Sequence, residues 1–164
     1  MQHFSIFFFI ILIAAGCSSK NEGSTDVQSI HTFDNVDPSV KQQFATFLTN
    51  YFKLNEALIN DSLDSAKTAA KSFAQTTKTF DVSKLSGEQL DYYYLYSSNL
   101  KLALGNLGSS PDIETARAEL ATISESMYAL VKAFHPNDTP LYYQYCPMAR
   151  DNKGANWIQR KERT

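Results

Sequence analysis

The sequence has few of the residues that build catalytic and metal sites. Its 164 residues include two cysteines and three histidines, with no glycine-rich phosphate loop and no zinc motif. A nucleophile pair could be drawn between Cys146 and His135, but no third group orients it and no oxyanion donor accompanies it. We therefore predict that the protein is not an enzyme.

The chain also lacks an excess of charge of one sign. Its 15 basic residues stand against 17 acidic ones, so the formal net charge is −2 and nothing supports nucleic-acid binding. We find no internal repeat and no low-complexity stretch. With 43% hydrophobic residues, the composition is typical of one globular domain.

The long apolar run of the chain lies at the N terminus, from Phe4 to Ala15. It is shorter than the roughly 20 residues that a membrane-spanning helix needs, and its length is typical of a signal-peptide core. The stretch Ile13–Cys17 resembles the lipobox of bacterial lipoproteins, in which the cysteine thiol takes a diacylglycerol. We therefore predict a lipoprotein signal peptide over residues 1–16 and lipidation of Cys17. The alternative is an ordinary secretory signal followed by an accidental cysteine.

Lipidation would anchor the protein to a membrane of the cell envelope. Ser18 follows the cysteine, where an aspartate would argue for retention at the inner membrane. We therefore expect an anchor in the outer membrane and a protein that faces the periplasm. The thioether at Cys17 would leave Cys146 as an unpaired thiol in an oxidising compartment.

The rest of the chain divides into a polar tether over residues 17–37, a helical bundle over 38–135, and a short extended C-terminal arm with a basic tail over 136–164. Helix starts are indicated by Asp37–Pro38, by Ser86 with Gln89, and by Ser110–Pro111. Apolar residues recur at steps of three and four, most regularly at Ile113, Ala116, Leu120, Ile123, Met127, Leu130 and Phe134. Four such helices with short connections predict an all-α fold, an antiparallel four-helix up-and-down bundle.

The C-terminal arm carries the residues best suited to bind a metal ion. Cys146 and Met148 are two residues apart, so an extended chain would place both sulfur atoms on one side. A thiolate and a thioether suit Cu(I) or another soft ion, and His135 could add an imidazole nitrogen. The alternative is that Cys146 and Met148 only fill space, because both residue types pack readily in cores.

Tyrosines crowd both the third helix and the arm. The group comprises Tyr92, Tyr93, Tyr94, Tyr96, Tyr142, Tyr143 and Tyr145. We predict that the arm packs across the third helix through these rings.

The arm resembles a known family. The stretches Tyr142–Ala149 and Asn152–Trp157, together with Arg117, Ser124 and Leu130–Phe134, are similar to the domain of unknown function 3347. The resemblance extends over roughly Pro38 to Trp157. It implies a helical bundle in the Gram-negative cell envelope, found alone in lipoproteins or fused to adaptor subunits of heavy-metal efflux pumps, with a role in binding copper or related metals.

The family pattern continues past Trp157 with a further methionine and a Cys-Gly pair, which Ile158–Thr164 do not contain. The resemblance therefore implies that this chain carries half of a site, as a truncated copy or as one that a partner completes. Two functions stay open. The first is soft-metal binding accessory to heavy-metal efflux or homeostasis. The second is a structural or adaptor module that docks on another envelope protein, with Cys146 merely packed.

Overall fold

The structure is a computed structural model that describes residues 31–161, apart from the side chain of Asp151. Its four long helices are α1 at Pro38–Ile59, α2 at Leu63–Lys78, α3 at Glu88–Gly108 and α4 at Ile113–Phe134. They are followed by β1 at Tyr142–Cys146, the one-turn helix α5 at Ala149–Asn152, and β2 at Ala155–Gln159. The predicted signal peptide, Cys17 and most of the predicted tether lie outside the described residues. None of the helices in residues 31–161 is both long enough and apolar enough to cross a membrane.

The four long helices form the predicted up-and-down bundle. Each helix packs against the next one in sequence, and α4 packs back on α1, so the helices enclose one core. This core is aromatic near the end where α1 begins. There Phe44 stacks on Phe134 with ring centroids 4.5 Å apart, and Phe80 stacks on Tyr93 at 4.4 Å. The apolar stripes that predicted the helices are the faces that they bury.

Aspartate side chains cap the first turns of α1 and α4, and only the first of these caps was predicted from the sequence. Asp37 caps α1 as predicted, because its carboxylate accepts a hydrogen bond from the N–H of Ser39 at 2.8 Å. Hydrogen bonds from the Ser39 hydroxyl and N–H lower the pKa of Asp37. The start of α4 differs from the prediction, because Asp112 rather than Ser110 caps it and accepts from the N–H of Thr115 at 2.7 Å.

The segment before α1 belongs to the bundle. Phe33 is buried, and its N–H donates to the carbonyl oxygen of Ala133 at 3.0 Å. Gln89 does not close the predicted capping box with Ser86 but donates from its side-chain amide to the carbonyl oxygen of Asn35 at 2.8 Å. The packed domain therefore reaches back to about residue 33, before the predicted boundary at 38.

The C-terminal arm is a β-hairpin rather than a single extended segment. β1 and β2 pair antiparallel, with Tyr143 opposite Ile158 and Cys146 opposite Ala155. The connection between the strands contains α5. β2 makes the larger contact with the bundle, where it lies against α4.

The tyrosines of α3 do not receive the arm. The ring of Tyr93 stacks on Phe80 inside the bundle, and the ring of Tyr92 contacts the segment before α1. The ring that meets the arm comes from α4, where Tyr128 stacks on Tyr143 with centroids 3.9 Å apart. The prediction that the arm packs across the third helix is therefore wrong. The sequence placed tyrosines on both elements but did not specify which faces they share.

Candidate binding site beneath the C-terminal hairpin

One buried hydroxyl joins the hairpin to two helices. Tyr51 lies on the apolar stripe of α1 and is fully buried. Its hydroxyl forms a hydrogen bond of 2.8 Å with Ser124 Oγ of α4 and accepts one of 2.9 Å from the N–H of Ile158 in β2. Burial raises the pKa of Tyr51 above its ordinary value. Because a buried polar group without a partner is costly, this contact fixes where β2 lies on the bundle.

Ring contacts hold the two strands on either side of that hydrogen bond. The stack of Tyr143 on Tyr128 fastens β1 to α4, and its planes are only 7° from parallel. Burial raises the pKa of Tyr143 above its ordinary value. At the end of β2 the guanidinium of Arg160 lies 4.3 Å from the ring centre of Phe52 in α1, a cation–π contact. The hairpin is therefore a packed part of the domain.

A cavity of about 780 Å³ lies between the hairpin and the bundle. The end of α1 forms one wall with Leu58 and Ile59, and the first half of α4 continues it with Ala121. β2 contributes the only tryptophan of the sequence, Trp157, to the lining. Asn55, which is only 8% exposed, also lines the cavity. The site therefore combines apolar walls with a polar group that is largely removed from solvent.

Arg117 organises the bundle end next to this cavity. Its guanidinium donates to the carboxylates of Glu114, at 2.7 Å, and of Asp61. It also donates to the carbonyl oxygen of Leu58 at 3.2 Å. These bonds tie the first turn of α4 to the turn between α1 and α2. Because two carboxylates bind this one guanidinium, the group of Arg117, Glu114 and Asp61 adds no net positive charge next to the cavity.

The loop before β2 forms the rim of the cavity. Arg150 and Asn152 adopt positive φ of 56° and 64°, a conformation that is uncommon for residues other than glycine. Gly154, at φ 77°, needs that freedom, and a Cβ at this position would overlap the ring of Tyr145. Arg150 and Lys153 line the cavity from this loop. Among the described side chains, none forms an ion pair with either cation.

The three predicted metal ligands do not come together. Met148 is 76% exposed and lines the cavity beside Ala121, in the first half of α4. His135 follows the last residue of α4, so a rise of about 1.5 Å per residue puts roughly 20 Å between it and Ala121. Cys146 is a free, half-buried thiol at the end of β1. Only Cys146 and Met148 are therefore neighbours.

That pair also departs from the predicted extended geometry. β1 ends at Cys146, and Met148 has φ −84° and ψ −8°, which is helical backbone. The alternation that would put both sulfur atoms on one face therefore stops before Met148. Over residues 31–161 no three His, Cys, Asp or Glu side chains cluster as a metal site.

A family model described as "Protein of unknown function (DUF3347)" matches residues 47–139, which is more than half of the chain. The chain belongs to the DUF3347 family. The match covers most of α1, all of α2 to α4, and no part of the hairpin. No curated protein and no solved structure matches the chain.

The matched range gives two of the residues behind the sequence resemblance a structural role. Within this DUF3347 protein, Ser124 binds the hydroxyl of Tyr51, and Arg117 holds the turn between α1 and α2. Neither Tyr51 nor Asn55 was predicted from the sequence as a site residue. Tyr51 looked like an ordinary member of an apolar stripe. Asn55 could have been noticed in the sequence, because it is a polar residue next to Leu54 and close to Leu58, which both belong to the apolar face of α1.

Proposed function

We propose that this DUF3347 protein is a lipid-anchored, non-catalytic protein of the cell envelope that binds a soft metal ion such as Cu(I). It would hold the ion as cargo and hand it to a heavy-metal efflux or homeostasis system. One observation carries the proposal: two soft sulfur ligands lie two residues apart in sequence where β1 ends, with Cys146 half-buried and Met148 76% exposed. The proposal does not use His135, because that residue follows the end of α4 opposite to the half that lines the cavity with Met148, so a third ligand would come from elsewhere.

The test is an anaerobic titration of the reduced full-length protein with Cu(I) against a competing chelator. We expect one-to-one binding that is lost in Cys146→Ser and strongly weakened in Met148→Leu. Met127→Leu serves as the matched control, because Met127 is fully buried in the bundle. His135→Ala should leave the affinity unchanged. Failure to compete with the chelator, or equal binding by Cys146→Ser, would rule out this site.

The anchor has its own test. We propose that Cys17 carries the lipid and that the protein sits in the outer membrane facing the periplasm. Mass spectrometry of the mature protein should find a diacylglyceryl group on Cys17 and no residues 1–16. Detection of an unmodified Cys17 in a protein released from the membrane would contradict this proposal.

A second function, docking on another envelope protein such as an efflux adaptor, is favoured by the side chains around the hairpin tip. Met148, Tyr145 and Ile59 are 76%, 62% and 56% exposed, although all three are large and apolar or aromatic. Co-purification with the adaptor should fall in Ile59→Asp and Met148→Asp. It should persist in Cys146→Ser and in Leu102→Asp, which changes an exposed residue of α3. Loss of binding in Leu102→Asp alone would point to another surface.

A further inference from the structure

We propose that the cavity beneath the hairpin binds the carboxyl-terminal residues of a short peptide, at a site that is lined by Met148 of the proposed metal pair but not by Cys146. Three sets of groups meet there: amides, two cations that form no ion pair among the described side chains, and an apolar wall. A peptide end offers a partner to each of them, because it carries backbone amides, a terminal carboxylate and apolar side chains. The volume of about 780 Å³ lies within the usual range for small-ligand sites and suits two or three residues.

The amide groups come from α1 and from the free edge of β2. Asn55 is more than nine-tenths buried and lines the cavity from α1, so its side-chain amide is a polar group available to a ligand there. On β2, the N–H of Ile158 turns away from β1 to reach Tyr51. Backbone groups two residues apart on a strand point the same way, so the N–H and carbonyl of Asn156 also face away from β1. Asn156 lines the cavity, and its edge can therefore pair with an extended chain.

The cations lie on the loop that closes the cavity. Arg150 and Lys153 both line it, and no described carboxylate pairs with them. Arg117 is different, because Glu114 and Asp61 already bind its guanidinium. The unmatched charge at the rim is therefore positive, which suits the carboxylate at the end of a peptide.

The apolar wall gives the ligand a side-chain preference. Leu58 and Ile59 of α1, Ala121 of α4 and Trp157 of β2 supply apolar and aromatic lining from three different elements. An aliphatic side chain of the ligand would fill this space. Trp157 is the only tryptophan in the sequence, so its fluorescence reports directly on occupation of the cavity.

The experiment titrates the full-length protein with three probes and follows both Trp157 fluorescence and heat. The probes are acetyl-alanyl-leucyl-alanine with a free carboxylate, the same tripeptide as its terminal amide, and hexanoate. We expect the free acid to bind at least about tenfold more tightly than either of the others, because only it satisfies both the cations and the amides. The variant Arg150→Gln with Lys153→Gln should reduce its affinity by a similar factor.

The matched control is Lys84→Gln with Lys132→Gln, which removes two exposed lysines outside the cavity lining and should leave the affinity unchanged. Cys146→Ser should also bind the peptide normally, because Cys146 does not line the cavity, and this separates peptide binding from metal binding through the thiol. Equal binding of acid and amide would overturn the carboxylate assignment. If hexanoate bound as tightly as the free acid, the role assigned to the amide groups would be wrong. If none of the three probes released or absorbed heat on titration, the cavity would not be a peptide site.

Discussion

At the scale of single residues, polar atoms inside the apolar faces position the hairpin. Tyr51 belongs to the stripe that buries α1, yet its hydroxyl bonds to both Ser124 and the backbone of Ile158. The ring contributes apolar area to the core, while the oxygen selects the register of β2 on the bundle. A phenylalanine at position 51 would contribute the same apolar area but could not form the hydrogen bonds that position β2.

Tyr51→Phe should therefore lower the free energy of unfolding by about 1–3 kcal/mol, because it leaves the N–H of Ile158 and the hydroxyl of Ser124 without their partner. Urea denaturation would measure the change. Tyr128→Phe is the matched control, since it keeps the ring stacked on Tyr143 and should alter stability by less than about 0.5 kcal/mol. Equal losses in the two variants would show that the Tyr51 hydroxyl has no special role.

Some of the residues that matter could be predicted from the sequence and others could not. Asp37 was identified as a cap because a proline follows it directly, and both lie within one turn of the helix that they begin. Asp112 was missed in favour of Ser110, since two residues in a short turn were both chemically able to cap α4. Tyr51 and Asn55 could not be identified, because their importance depends on β2, about a hundred positions further along the chain.

At the scale of elements, the hairpin depends on its connecting loop. Gly154 has φ 77° and lies directly beneath the ring of Tyr145. Any side chain at this position would need an unfavourable backbone conformation and would displace that ring. The loop also carries the two cations of the proposed peptide site, so its shape and that site are linked.

Gly154→Ala should lower the free energy of unfolding by about 1–2 kcal/mol. In a Tyr145→Ala background the loss should shrink, because the overlap is gone, but it should not vanish, because the positive φ remains. Tyr142→Ala, on the same strand, should not change the loss caused by Gly154→Ala. A double-mutant cycle by chemical denaturation measures these differences, and an unchanged stability in Gly154→Ala would contradict the assigned turn.

The long helices could be predicted, whereas the hairpin could not. Each helix repeats its apolar residues within one or two turns, so the signal lies inside the element itself. β1 was recognised as extended from its tyrosines, but its partner strand begins only after a loop with its own one-turn helix. That loop also returns Met148 to helical backbone, which the assumption of one continuous extended arm excluded.

At the scale of the whole molecule, buried phenols make stability depend on alkaline pH. Burial raises the pKa of Tyr93 to about 12, and it also raises the pKa values of Tyr51, Tyr92 and Tyr143. In the unfolded chain these phenols ionise near pH 10, while in the folded protein they stay neutral. Protons then bind more tightly to the folded state, so stability is fully present below about pH 10 and falls as pH rises towards 12.

We therefore expect the urea midpoint to be nearly constant from about pH 8 to 9.5 and to fall steeply above about pH 10. Tyr93→Phe should make this fall shallower, because one of the contributing phenols is removed. Tyr94→Phe, which alters the neighbouring but exposed ring, should leave the slope as it is. A midpoint that does not move between about pH 10 and 11.5 would show that these phenols ionise alike in both states.

Because Phe33 packs on the bundle, one end of the bundle lies close to the N-terminal segment that would carry the lipid, and the other end lies far from it. Phe33 packs on Phe134 where α1 begins, and the cavity lies about 30 Å away, beside the last turn of α1. With a lipid on Cys17, the residues up to Phe33 limit the standoff of the near end to at most about 55 Å. If the helices point away from the membrane, the cavity then lies at most about 85 Å from it, so the tether length sets how far from the membrane the protein can meet a ligand or a partner.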